Sequence, residues 1–142
     1  MADVVLFLEA LTHLAVARLM VLVLPFRVVG RLLGGSGPRV LGHSHSATTE
    51  DPRTREPEAP NIPRIRWALL AAARRAPWRC QCLEQSIAGK LMLRRRRIPA
   101  TLYLGVEKTE DAIHAHAWLR CGTTFVTGGD GSTRYSIVSV LG

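Results

Sequence analysis

The chain has 142 residues, which suits one domain with a modest core and is too short for two full enzyme domains. Nineteen Lys and Arg against eleven Asp and Glu give a formal charge of +8, which fits an acidic partner, an anionic surface or simple solubility. Three cysteines are an odd number, which argues against a disulfide framework. With no export signal recognised, we expect reduced thiols in a cytoplasmic protein.

The first part of the chain is the most apolar and predicts two helices. One is expected at about residues 3 to 23, and a second from Pro25, which is tolerated in a first helical turn. Arg27 and Arg31 give the second helix a basic face. The longest uninterrupted apolar run, Leu19 to Phe26, is shorter than the roughly 20 residues that span a bilayer. We therefore expect packed helices, with attachment to a membrane surface or to a partner's apolar groove as the alternative.

Residues 35–60 are rich in Gly, Pro, Ser and Thr and predict a flexible linker or loop. His43 and His45 lie within it. An H-x-H pair in a loop could contact a metal, but a solvated polar loop is the plainer interpretation. The predicted division of the chain is therefore a helical segment at 1–34, this linker, and a core at 61–142.

The core segment predicts helices first and strands afterwards. Asn61 is expected to cap a helix over "RIRWALLAAARRA", and Pro77 separates it from a second helix in "WRCQCLEQSIAGKLMLRRRR". After Pro99 the sequence alternates as strands do, in "ATLYLGV", "IHAHAWLRC", "TFVTG" and "RYSIVSVLG". The predicted fold class is α+β, an antiparallel meander with the cysteine-bearing helix packed against it.

The strand "IHAHAWLRC" carries the histidines that are candidates for chemistry. Alternation places His114, His116 and Trp118 on one face. A histidine directed at a helix N-terminus is the partner that a cysteine nucleophile needs, because an imidazolium and the positive helix end both lower a thiol pKa from about 8.5. Cys82, in the first turn of its helix, is placed for both effects. Asp130, the acid that follows the histidines, is the candidate for orienting the imidazole.

These residue types also allow other functions. The chain has enough ligands for a zinc ion, although C-x-C is not the usual spacing of a zinc site. The ligands would be Cys80, Cys82, Cys121, His114 and His116. The run "LRRRR" could make the chain a basic peptide-binding or nucleic-acid-binding module. Successive arginines point in different directions around a helix, however, and suit a solvated helix end favoured by the helix dipole.

The stretches "CLEQSIAGKLMLRRRRIPATLYLGV" and "AHAWLRCGTTFVTGGDG" together resemble the lasso-peptide B proteins, maturation proteases with a papain/transglutaminase-like core. The shared pattern is Cys-Leu followed by small and apolar residues at helical spacing, an Arg-rich helix end, Ile-Pro-Ala, a strand ending in Leu-Gly-Val, and then His-Ala-Trp. The resemblance covers about residues 61 to 142 and is looser over the N-terminal helices.

The resemblance implies a cysteine protease that removes the leader from a ribosomally made precursor through a thioester, without a cofactor or metal. Cys82 falls on the nucleophile and His116 on the base. Asp130 falls on the third position, in a "TGG" context that departs from the commoner pattern, so an Asn or a backbone carbonyl is the alternative orienting group. Further candidates are Trp118 for the peptide groove, and Trp78 and Gln81 as side-chain donors to the oxyanion.

The same resemblance implies three partners. They are the lasso precursor peptide, a separate leader-recognition protein and an ATP-dependent lasso cyclase. The separate protein is expected because short-form members lack a fused leader-recognition domain, and the helical N-terminus predicts the same lack here. The apolar N-terminal helices and the basic face of Arg27 and Arg31 are the candidate docking surfaces.

Overall fold

The computed structural model describes residues 1–34, 61–129 and 131–142, and within them helices precede a single sheet. The predicted linker with His43 and His45, and the candidate Asp130, lie outside the described residues. The α+β class is confirmed. The elements are α1 (Ala2–Val23), α2 (Phe26–Leu32), α3 (Ile62–Arg75), α4 (Cys82–Arg95), β1 (Thr101–Lys108), β2 (Ile113–Cys121), β3 (Thr124–Thr127), a 3-10 turn (Ser132–Arg134) and β4 (Ser136–Leu141).

The sheet has the order β3-β2-β1-β4, with antiparallel neighbours throughout. The first three strands form the predicted meander, but β4 pairs with β1, so the expectation of a simple meander is wrong at the last strand. β3 is only four residues long, and Gly128, with φ +66°, turns the chain away from its edge. β1 has eight residues, and its other edge therefore offers β4 a longer strand to pair with than β3 does.

Helix α4 lies against one face of the sheet. Gly89 permits the close approach, since a Cβ there would stand 2.8 Å from Leu119 Cδ2 and 3.1 Å from Leu69 Cδ1. Ile87 and Met92 are fully buried on the same helix. Burial of apolar side chains of this size contributes about 1.5–3 kcal/mol each. The predicted packing of the cysteine-bearing helix on the sheet is therefore confirmed.

Two polar contacts give the direction of α4 across the sheet. Near its beginning, the hydroxyls of Ser86 and Thr127 form a buried 2.9 Å hydrogen bond at the end of β3. Further along, Lys90 Nζ donates to the carbonyl of Ala100, which precedes β1, at 2.6 Å. The N-terminus of α4 therefore lies at the end of the sheet where β3 stops.

The N-terminal helix α1 packs on α3 and α4 and shares their core. Arg18 donates to the buried carboxylate of Glu84 on α4 at 2.8 Å, and Arg96 donates to Glu9 at 2.6 Å. The side chains that α1 buries are Leu6, Ala10, Leu14 and Ala17. The segment 1–34 is thus part of the same packed unit as the 61–142 core.

The C-terminal end of α4 is closed by a Schellman motif. Ile98 N–H donates to Leu93 O and Arg97 N–H donates to Arg94 O, with Arg97 in the left-handed region at φ 58°. Arg94 also donates to the carbonyl of Leu32. Arg94 is exposed, as expected of a solvated helix end, but it also contacts α2, and the half-buried Arg96 pairs with Glu9 of α1.

Candidate active site

Cys82 is the first residue of α4. Gln81 precedes it in an extended conformation with ψ 175°, and no side chain caps the terminus. The backbone bond from Gln85 N–H to Gln81 O opens the helix, so the N–H groups of Cys82 and the next two residues have no partner within the helix. Those N–H groups and the positive helix end favour negative charge at this point. The thiol is half-buried and makes no hydrogen bond to any described residue.

The segment before Cys82 is held in place by the helix itself. Pro77 follows the end of α3, and Gln85 Nε2 donates back to the Cys80 carbonyl at 2.9 Å. Cys80 packs against the core, where burial, and then the Glu84 carboxylate, raise its thiol pKa. A raised pKa means less thiolate at neutral pH, which disfavours Cys80 as a nucleophile.

A buried carboxylate, Glu84, lies in the first turn of α4 with 3% of its surface exposed. Its charge would oppose a thiolate at the same terminus, but Arg18 neutralises it from α1. Sequence analysis did not identify this pair. Its signal was an arginine inside an otherwise apolar helix, which needs an acidic partner when that helix packs.

His116 lies on β2 with a fixed hydrogen bond. Its Nε2 is 2.7 Å from the carbonyl oxygen of Gly128, and since a carbonyl only accepts, Nε2 carries the proton. In the neutral ring, Nδ1 is then the nitrogen able to take up a proton. A backbone carbonyl is therefore the group that orients the imidazole in this structure. The signal for it was the Gly-Gly pair after β3, where the chain bends back.

The imidazole belongs to an aromatic cluster on the outer face of the sheet. Its ring centroid is 5.0 Å from that of Tyr135 and 5.9 Å from that of Trp118, which stacks on Tyr103 at 5.7 Å. Gly105 pairs with His116, and a Cβ there would stand 2.7 Å from Tyr135 Cβ and 2.9 Å from the Trp118 ring. Trp118 is 4% exposed, so it packs here instead of lining an open groove. The sequence around Tyr135 does not indicate its contact with His116, because the two residues are distant in sequence.

The structure does not bring Cys82 and His116 into contact. Leu119 packs on α4, so by alternation His116 lies on the opposite face of β2. The expectation that His116 points at the helix N-terminus is not met in this conformation. Both residues nevertheless lie at the same end of the sheet, where β3 stops at Thr127 and leaves the edge of β2 open.

The other candidates are spread through the domain. Among the described residues, no group of three or more His, Cys, Asp or Glu side chains could hold a metal. Cys121 is buried, with its thiol donating to Pro99 O at 3.2 Å, and His114 is exposed. Gln81 is exposed at the α4 terminus, whereas Trp78 Nε1 is buried without a hydrogen-bond partner. Gln81 is therefore the more accessible side-chain donor.

Residues 20–140 match the family described as the transglutaminase-like superfamily. The chain belongs to this superfamily. The match spans the helix that begins at Cys82 and all the strands described above, so the transglutaminase-like domain includes both candidate catalytic residues. The superfamily includes cysteine proteases. No curated protein and no solved structure matches the chain.

Proposed function

We propose that this transglutaminase-like chain is a cysteine protease that removes the leader from a lasso-peptide precursor. The superfamily membership supports a cysteine-based reaction. The resemblance of the residues around Cys82 and His116 to lasso-peptide B proteins supports the substrate. The observation that carries the proposal is the position of Cys82, a free thiol at an uncapped helix N-terminus. That position supplies both a nucleophile and unpaired backbone donors.

The proposed reaction has two steps. His116 takes the Cys82 proton, and the thiolate attacks the carbonyl carbon of the leader–core peptide bond. The resulting oxyanion accepts hydrogen bonds from the unpaired N–H groups of the α4 terminus, with Gln81 as a candidate side-chain donor. The imidazolium returns its proton to the departing amine of the core peptide. Water, deprotonated by His116, then hydrolyses the leader thioester and regenerates the thiol.

Gly128 has the better-supported orienting role in this scheme. Its carbonyl holds Nε2–H of His116 and leaves Nδ1 as the basic nitrogen. Asp130 keeps the role that the family resemblance implies and competes with Gly128 for it. The Asp130→Ala variant separates the two, because wrong orientation of the imidazole lowers the rate strongly. We expect Asp130→Ala to retain cleavage within about tenfold if Gly128 orients the ring, and to lose it if Asp130 does.

The mechanism requires His116 to approach Cys82 more closely than in this structure. His116 must leave the outer face of β2, where it lies opposite α4, and reach Cys82 around the edge of β2 that is open beyond Thr127. The rate of Cys82 alkylation against pH tests it. A working pair keeps reactive thiolate below pH 7, and His116→Ala shifts the profile toward the free-thiol value of about 8.5. Identical profiles for the two proteins would contradict the pairing.

The activity itself is tested with the leader-bearing precursor and a separate leader-recognition protein. We expect Cys82→Ala and His116→Ala to abolish release of the core peptide, measured by mass spectrometry. Cys80→Ala is the matched control, two residues away, and should retain cleavage. Full cleavage by Cys82→Ala would refute the mechanism. We further propose that the released core passes to an ATP-dependent lasso cyclase, since the resemblance implies that partner.

A further inference from the structure

Helix α1 buries one apolar face in the core and leaves a second apolar face exposed to solvent. Its charged side chains pair with the rest of the domain: Asp3 with Arg64 of α3, Glu9 with Arg95 and Arg96 at the end of α4, and Arg18 with Glu84 of α4. The outward-facing apolar side chains are 43–66% exposed. They are Val4, Val5, Leu8, Val16, Leu19, Leu22 and Val23, which we call the α1 stripe.

The exposed side chains of the α1 stripe share one face of the helix, whereas the exposed apolar residues of an ordinary protein surface are scattered. Phe26 and Leu32 on α2 are also exposed, at 45% and 51%. By length and composition α1 could cross a membrane, with a mean hydropathy of 1.9 over a stretch that is only 17% buried. A contiguous apolar surface of this kind marks an interaction site.

Exposed arginines on the neighbouring helices lie beside α1, and we call them its arginine border. Arg64 of α3 pairs with Asp3 and keeps half of its side chain exposed, and Arg95 of α4 lies 3.7 Å from Glu9 with 72% of its side chain exposed. Arg27 and Arg31 are exposed on α2. Asp3 offsets Arg64, but Glu9 is shared by Arg95 and Arg96, and Arg27 and Arg31 have no acidic partner among the described residues, so positive charge is in excess around α1.

A further arginine stands at the same end of α4. Arg97 is exposed, and its side chain makes no hydrogen bond or ion pair with any described residue. It occupies a left-handed C′ position, φ 58°, that glycine would fill with less strain. Its guanidinium is therefore available to an anion outside the domain.

We propose that the α1 stripe and its arginine border attach this protein to the surface of an anionic lipid bilayer, with α1 lying in the plane of the interface. An apolar helix face flanked by arginines fits the boundary between acyl chains and anionic headgroups. The inference does not depend on the proposed protease activity.

The charges and contacts of α1 favour a lipid surface over a second copy of the chain and over insertion of α1 across the bilayer. A second copy would bring together two chains of formal charge +8, each with the same arginine border. Insertion across the bilayer would pull α1 off the domain, remove Leu14 from the core and leave the buried Glu84 carboxylate without Arg18. A surface-bound helix keeps all of these contacts.

Vesicle flotation with the full chain tests the proposal. We expect binding to phosphatidylcholine vesicles that contain one quarter phosphatidylglycerol, at least about tenfold weaker binding to pure phosphatidylcholine, and weakening as salt is raised. The double variant Leu8→Gln/Leu19→Gln should bind at least about tenfold more weakly, because two leucines no longer enter the acyl region. Ile113→Gln, at an equally apolar site 72% exposed on β2, is the matched control and should bind as the wild type does.

Other outcomes would overturn the proposal. Absence of binding to the anionic vesicles, or equal loss in the Ile113 variant, removes the α1 stripe as the attachment surface. If light scattering shows a dimer for the wild type and a monomer for the double variant, a second copy of the chain occupies the α1 stripe. If the wild type is a monomer that does not bind vesicles, the occupant is a protein partner. Resistance of the bound protein to alkaline carbonate extraction indicates a spanning helix. Circular dichroism and urea unfolding of each variant confirm that the fold is intact.

Discussion

The two ends of α4 differ in how far their polar groups are satisfied. At the C-terminal end, the Schellman motif pairs the backbone, and Arg94 and Arg96 bond to α2 and α1. At the N-terminal end, no side chain caps the helix and Cys82 has no partner among the described residues. The C-terminal end therefore stabilises the domain, whereas the thiol and the first backbone N–H groups at the N-terminal end remain without a hydrogen-bond partner in the described part of the chain.

The largest effect expected from this comparison is in thiol reactivity. Iodoacetamide should modify Cys82 on the order of 100-fold faster than Cys121, because Cys121 is 2% exposed and burial raises its thiol pKa. Cys80 should fall between them, as its pKa is also raised by burial. Peptide mapping by mass spectrometry measures the three rates. Equal rates would show that the α4 terminus is not more open than the core.

The ion pair between Arg18 and Glu84, in the first turn of α4, should be important for stability. Arg18→Met leaves the Glu84 carboxylate, 3% exposed, buried without its partner, so we expect a loss of about 3 kcal/mol in the free energy of unfolding. Urea denaturation measures it. Arg79→Met, at an exposed arginine in the loop before Cys82, is the control and should change stability by less than about 0.5 kcal/mol. A loss below about 1 kcal/mol would mean that water reaches Glu84.

Lys90, between the two ends, should make stability depend on alkaline pH. Burial lowers its pKa from 10.5 to about 8. Between these values the unfolded chain binds a proton that the folded chain lacks, so stability rises with pH, by about 3 kcal/mol in total. Below pH 8 both states are protonated and this dependence is absent. In Lys90→Met the rise should disappear, as measured by urea unfolding from pH 7.5 to 10. A parallel rise in the variant would assign the effect to other groups.

The smallest expected effect is at the closed end. Arg97→Gly should stabilise the protein by about 0.5–1 kcal/mol, because glycine adopts the left-handed C′ conformation without a Cβ clash. Thermal unfolding measures the gain, and Arg95→Gly, in the last turn of the helix, is the control that should destabilise. Destabilisation by Arg97→Gly would show that its side chain contributes to the fold.

Much of the fold could be predicted from local patterns. Helical spacing located α1, α3 and α4, and the change to alternation after Pro99 located the strands. The start of α4 was placed too early, because residues 78–81 are not helical and the helix begins at Cys82 itself. The pairing of β4 with β1 was missed, since strand order depends on which edge is free once the hairpins have formed, and no local pattern encodes that.

For the candidate site too, some features could be predicted from the sequence and others could not. The sequence by itself predicted that Cys82 lies in the first turn of a helix and that the histidines lie on a strand, because prolines and hydrophobic periods are properties of neighbouring residues. Alternation also determined that His116 and Leu119 lie on opposite faces of β2. Only tertiary packing decided which face α4 covers: the small Gly89 admits Leu119, so His116 is left on the outer face beside Gly128. The apolar period of α1 likewise predicted a helix, but its ion pairs to Glu84 and Arg96 decided which of its apolar faces remains uncovered.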